Sequence, residues 1–121
     1  MALVLIVDDS PTEQYVLCQA LEKHGYDTVV ASDGEEAIAT AEQQQPEVII
    51  MDVVMPGMDG FKATRLLARN PATSAIPVVI LSTKGRDTDR VWGLRQGAKE
   101  YLVKPVQDNQ LVEAVQMALA E

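Results

Sequence analysis

Three carboxylates, a hydroxyl and an ammonium each stand just after a short apolar run in this 121-residue chain. Asp8 and Asp9 follow Leu3–Val7, and Asp52 follows Val48–Met51. Ser82 follows residues 77–81, and Lys104 follows residues 101–103. A carboxylate at the end of a buried strand is costly unless something pairs with it. Three crowded acids repel one another, which raises their pKa values unless a cation is present. An all-oxygen site that keeps some water suits Mg²⁺, and Lys104 would add a second positive charge. Mg²⁺, a lysine and a hydroxyl around one carboxylate are the parts that phosphoryl transfer requires. They neutralise the equatorial oxygens while the carboxylate, here Asp52, attacks in line and becomes an acyl phosphate.

Each residue alone has a plainer reading. Asp8–Asp9 could be a helix-entry cap, Ser82 a satisfied loop hydroxyl, Lys104 a solvated charge, and Asp52 a partner for backbone amides. The joint pattern, one group at each of several strand ends, argues for a site.

The elements that must position these groups alternate regularly. A continuous apolar run at Leu3–Val7 is expected for a strand buried on both faces. Ser10 is placed to cap a first helix, with Pro11 at its first position and Glu13 closing a capping box. Val16, Leu17, Ala20, Leu21 and His24 share a face of that helix, and Gly25 ends it. Cys18 is expected at the helix edge, off the core face and open to thiol reagents. Residues 28–31 make a second strand. Asp33-Gly34-Glu35-Glu36 starts a second helix with Ala37, Ile38 and Ala41 inward, which Pro46 stops. Val48–Met51 is the third strand. A Gly-, Pro- and Met-rich loop leads to a third helix at about Gly60–Arg69, broken by Asn70-Pro71. Residues 77–81 form the fourth strand, and residues 88–96 a fourth helix closed by Gly97. Residues 101–103 form the fifth strand, and Asp108 caps a last helix whose Leu111, Ala114, Val115, Ala118 and Leu119 share one face. Five βα units imply an α/β, doubly wound (βα)5 parallel sheet. In such sheets ligands bind beyond the carboxyl ends of the strands, where the five groups converge.

Composition sets the outer bounds. The chain is 47% hydrophobic and 23% charged, which is ordinary for one globular domain, here residues 1–121. Its net charge of −8 argues against a nucleic-acid or anionic-membrane surface. The apolar run at the N-terminus is too short for a membrane span or signal peptide. A single cysteine, with no His–Cys cluster for zinc, fits a reducing, cytoplasmic setting. Lys104-Pro105 is a candidate cis peptide.

The stretches "LIVDDS", "IIMDVVMPGMDGF", "VVILST" and "GAKEYLVKP" resemble the motifs of response-regulator receiver domains of the chemotaxis-regulator type, over essentially the whole chain. The resemblance implies a flavodoxin-like sheet in the order 2-1-3-4-5. It implies Asp52 as phospho-acceptor and Asp9 as a direct Mg²⁺ ligand. Asp8 would bind the metal directly or through water, and the backbone carbonyl of Val54 would be a further ligand. Ser82 and Lys104 would hold the phosphoryl group. Tyr101 would be an aromatic switch that turns inward when Ser82 moves. The stretch "STKGRDTDRVWGLRQGAKEYLVKP", with Trp92-Gly93 inside the fourth helix, is similar to the stand-alone receivers of twitching-motility and pilus-linked phototaxis systems, the PilH type. The implied donor is a chemotaxis-type histidine kinase. With no effector domain expected, output would pass to a protein target through the face made by the fourth helix, fifth strand and fifth helix, from a monomer or weak dimer.

Two other roles stay open at this level: a phosphate sink for a shared kinase, and a small Mg²⁺-dependent aspartyl phosphatase. Enzymes of the second kind place a second carboxylate two residues after the nucleophile, where this chain has Val54. Trp92 is expected to lie away from Val53, the neighbour of Asp52. Val54 and Lys84 offer no base to orient a hydrolytic water, so slow loss of phosphate is expected, with at most slow autodephosphorylation.

Overall fold

The computed structural model describes residues 2–120. In chain order the elements are β1 (Leu3–Val7), α1 (Pro11–Glu22), β2 (Asp27–Ala31), α2 (Gly34–Gln44) and β3 (Val48–Met51). They continue with α3 (Gly60–Arg69), β4 (Val78–Ser82), α4 (Asp87–Arg95), β5 (Glu100–Val103) and α5 (Asp108–Leu119). All strand pairs are parallel, in the order β2-β1-β3-β4-β5. This is the doubly wound (βα)5 sheet expected from the alternation of elements, in the flavodoxin-like order that the receiver-domain resemblance implies.

The three central strands are buried on both faces because two helical layers cover them. One core cluster joins Leu5, Ile49, Met51 and Ile80 to Ala37 and Ala41 of α2 and to Ala63 and Leu67 of α3. The other joins Val4, Ile6, Ile50 and Leu81 to Leu17 and Leu21 of α1 and to Leu111 and Val115 of α5. Alternate residues of each strand thus feed opposite layers, as the period of a strand demands.

Several local readings change. α1 turns a different stripe inward: Leu17, Ala20 and Leu21 are buried, whereas Val16 is exposed and His24 lies exposed beyond the helix end. With Val16 removed the apolar stripe rotates toward Cys18, which is half-buried against the second cluster and not off the core face. α2 ends in a left-handed cap at Gln45 (φ 47, ψ 59), whose N–H still donates to the Ala41 carbonyl, and Pro46 cannot continue the helix. At α5 Asp108 is the first helical residue. The N-cap is Gln107, whose N–H donates to Oε1 of Gln110 at 2.9 Å.

The turn from β3 into α3 determines where Asp52 sits. Asp59 caps α3, its Oδ1 accepting from the N–H of Lys62 at 2.9 Å. The N–H of Gly60 donates to the carbonyl of Val53 at 2.9 Å. This folds the start of α3 onto the end of β3, and a Cβ on Gly60 would overlap the backbone carbonyl of Asp52. The glycine is therefore required by close approach of two backbones. Gly60→Ala is expected to cost roughly 3 kcal/mol or more, since backbone and not a pliable side chain must yield. A denaturant titration measures it, and an unchanged midpoint would refute the account.

Candidate functional site

The first turn of α1 organises one wall of the site. Ser10 is the N-cap, and its Oγ accepts from the N–H of Glu13 at 3.3 Å. The reciprocal half of the expected capping box is absent. The N–H of Ser10 instead donates to Oδ1 of Asp8 at 2.9 Å. Asp8, two residues upstream, reaches that donor first, and the carboxylate of Glu13 is released toward the site.

Asp8 is buried at the end of β1, and its Oδ2 accepts from Nζ of Lys104 at 3.0 Å. Asp52 ends β3. The N–H of Val53 donates to its Oδ1 at 2.7 Å, and its Oδ2 lies 3.5 Å from Lys104 Nζ. Asp9 is exposed at the rim. One carboxylate oxygen from each of Asp8, Asp9 and Asp52 lies within 4.8 Å of the others. This all-oxygen donor set suits a hard divalent cation such as Mg²⁺. Ser82 is buried at the end of β4, where its Oγ accepts from the N–H of Lys84 at 3.2 Å. Lys104 ends β5, tied to β4 by its N–H donating to the carbonyl of Ser82 at 2.9 Å, and the Lys104–Pro105 peptide is cis. The five residues singled out by their strand-end positions thus stand along one edge of the sheet.

Electrostatics follow from that crowding. Burial raises the Asp52 carboxyl above 3.8 and the charge of Asp8 adds to it, against the opposing pull of Lys104. For Lys104 burial disfavours the ammonium, but the hydrogen bond to Asp8 and the charges of Asp52 and Asp8 outweigh it, and the net shift is upward. Lys104 is therefore charged at neutral pH.

Tyr101 lies beside this edge with its ring inward, 1% exposed. Its hydroxyl donates to the carbonyl of Lys84 at 2.7 Å, which links it to the segment after Ser82. Nη1 of Arg90 donates to the Tyr101 carbonyl at 3.0 Å, and the guanidinium stands 5.8 Å from the ring centroid. Gly93 makes the room: a Cβ there would lie 2.8 Å from Cδ2 of Tyr101 and 2.9 Å from Cδ1 of Ile80. The Gly of the Trp92-Gly93 pair is thus read as the seat of the Tyr101 ring.

Trp92 departs from expectation. Gly93 and Gln96 face the sheet, which turns Trp92 sideways toward the loop after β3. It lines a cavity of about 360 Å³ with Val53, Val54, Met55, Phe61 and Lys84, and so it borders the segment that follows Asp52. Val54 is 56% exposed, and its side chain carries no polar atom. No sequence pattern marked this contact, although the charged Asp59 and Lys84 also line the cavity. Glu13, Gly60 and Gly93 were likewise missed as site residues, because their signals are ordinary helix-start or helix-interior letters. Only Asp8, already competing for the Ser10 amide, could have hinted that Glu13 was free.

The profile of the response regulator receiver domain matches residues 4–116. The chain is a receiver domain. This receiver is 52% identical over 120 residues to Protein PilH of Pseudomonas aeruginosa, covering 99% of each chain. It spans only 25% and 50% of longer regulators it also matches, PleD of Caulobacter vibrioides and MtrA of Mycolicibacterium smegmatis. Among solved structures, a response regulator from Chloroflexus aurantiacus superposes with a TM-score of 0.94 at 33% identity, over 99% of this receiver and 98% of that chain. Among the described residues no helix is long and apolar enough to cross a membrane.

Two variants test the geometry. In metal-free protein Asp52→Asn should be more stable than wild type at neutral pH. The folded-state pKa of Asp52 is raised, so its contribution favours the fold only at low pH and is lost as pH rises through that raised value. The advantage of the variant should fade as pH falls toward 3.8, and shrink when millimolar Mg²⁺ is added to both. Thermal melts across that pH range measure it, and equal melting at neutral pH would count against a strained Asp52. Gly93→Ala should reverse the usual sign. Alanine in a helix interior normally gains about 1 kcal/mol, whereas displacing the Tyr101 ring should cost about 1–3 kcal/mol. A gain in stability would mean the ring is not seated there.

Proposed function

We propose that this receiver accepts a phosphoryl group from a chemotaxis-type histidine kinase on Asp52 and, so modified, controls a protein target in a pilus-linked motility or taxis system in the cytoplasm. The observation that supports it most is the edge constellation. Three carboxylate oxygens lie within 4.8 Å of one another, and Lys104 Nζ stands 3.0 Å from Asp8 and 3.5 Å from Asp52. The N–H of Val53 holds one oxygen of Asp52, which leaves the other, on the Lys104 side, to attack phosphorus. The new P–O bond forms as the donor P–N bond breaks. The imidazole nitrogen keeps the electron pair, and Lys104 and Ser82 balance the charge on the transferred group.

Asp9, Asp8, Asp52 and the Val54 carbonyl would hold Mg²⁺, which supplies positive charge against the phosphoryl oxygens. Outside this chain, the receiver of a Pseudomonas aeruginosa sensor histidine kinase has been solved with magnesium coordinated in its active-site cleft. It matches at a TM-score of 0.91 and 30% identity, over 99% of this chain and 98% of that one. Output through the face of α4, β5 and α5 agrees with the contacts of Tyr101 to the segment after Ser82 and to α4. An aspartyl phosphatase lacks support, since Val54 replaces the second carboxylate. A phosphate sink would need rapid hydrolysis, and the Val54 and Lys84 side chains supply no base for it. A signalling switch is the reading they favour.

Incubation with acetyl phosphate and Mg²⁺ should add one labile phosphoryl group to wild type and none to Asp52→Asn, by intact mass. Labelling of the variant would refute the assignment. After donor removal, Val54→Asn combined with Lys84→Glu should lose phosphate faster than wild type, on the order of tenfold for a newly positioned polar group. Equal or slower decay would sink the argument about the water.

A further inference from the structure

Among the described residues Lys104 makes three ion pairs, one of which the phosphoryl-transfer scheme does not use. Oε1 of Glu13 lies 3.2 Å from Lys104 Nζ, closer than Asp52 at 3.5 Å. Glu13 belongs to the first turn of α1, which no strand end accounts for. It is free to make this contact because Asp8 has taken the Ser10 amide that a capping box would have used. Lys104 is only 14% exposed, so its ammonium finds its partners among these carboxylates and little water. Glu13 itself is 44% exposed and lines a cavity of about 440 Å³ with Lys104, Thr83, Pro105 and Val106. It stands at the mouth of the site, on the α1 side.

We propose that Glu13 is a positioning residue that holds Lys104 away from the phosphoryl oxygens, lowering the affinity of the Asp52 site for a phosphoryl anion. The proposal rests on Asp52 being the acceptor. A phosphoryl group on Asp52 brings negative charge to an ammonium that Asp8 and Glu13 already share. Asp8 cannot be dispensed with, since it anchors both Ser10 and Lys104 and belongs to the metal-binding cluster. Glu13 is the contributor outside that cluster, and its negative charge both competes for Lys104 and repels the incoming anion. Removing that charge while keeping shape and helix propensity frees Lys104 to turn toward the anion.

The test uses fluoroberyllate with Mg²⁺ as the probe, an anion that mimics a phosphoryl group on a carboxylate, followed by fluorine NMR. Glu13→Gln should bind fluoroberyllate about two- to fivefold more tightly than wild type, the range expected for a half-exposed ion pair. Because Glu13 acts through Lys104, the same substitution in a Lys104→Met background should give a clearly smaller gain. An unchanged or weaker affinity of Glu13→Gln would overturn the proposal. So would an equal gain in the Lys104→Met background, which would show general charge repulsion without positioning. Failure of wild type to bind fluoroberyllate at all would overturn the acceptor reading, and the role of Glu13 with it. Binding by wild type that Asp52→Asn loses keeps the acceptor reading standing whatever Glu13 does.

Discussion

The charge balance around Lys104 is the constraint on which the rest of this molecule depends. A parallel sheet brings the ends of β1, β3 and β5 together, and this sequence puts a charge at each. Asp8 is buried, and Asp52 sits where desolvation disfavours its ionised form. Lys104 answers both from the opposite side. A buried pair of this kind contributes little net stability compared with an apolar one, since desolvation consumes most of the attraction. Its value is readiness: a site already built of convergent charge needs little reorganisation when an anion or a divalent cation arrives.

The same edge couples chemistry to surface. Ser82 sits two residues before Lys84, whose carbonyl accepts from the Tyr101 hydroxyl. Tyr101 in turn packs against Gly93 of α4 and accepts from Arg90 of the same helix at its carbonyl. A displacement of Ser82 would therefore be felt by a ring packed in a tight seat, and packed side chains respond in discrete steps. On the other side of α4, Trp92 adjoins the loop that carries Val54. α4 is thus in contact with both walls of the site, which is a physical basis for a helix that reads the state of Asp52.

Much of this was legible in the letters. The five-unit alternation gave the sheet, and the apolar runs at Leu3–Val7 and Val48–Met51 gave strands buried on both faces, because period and burial are local properties of a strand. Asp8, Asp9, Asp52, Ser82 and Lys104 could be placed on one edge without coordinates, since a parallel sheet permits no other end for them. Helix faces were less legible. Val16 read as core and Cys18 as rim, because a hydrophobic stripe drawn from letters does not know which neighbours it will meet.

What the sequence by itself determined is the set of groups and the edge on which they meet: chain order, strand period and parallel topology suffice for that. What only the tertiary structure decided is who pairs with whom. Glu13 had a local partner available in the Ser10 amide and lost it to Asp8, so its carboxylate went to a lysine far along the chain. Gly93 reads as a helix weakness until the Tyr101 ring is seen against it. Trp92 faces the loop after Asp52 because Gly93 and Gln96 take the sheet side of the same helix. In each case the outcome is a competition between nearby donors, or a matter of space between elements distant in sequence. Such competitions are settled by three-dimensional packing, and no local pattern encodes them.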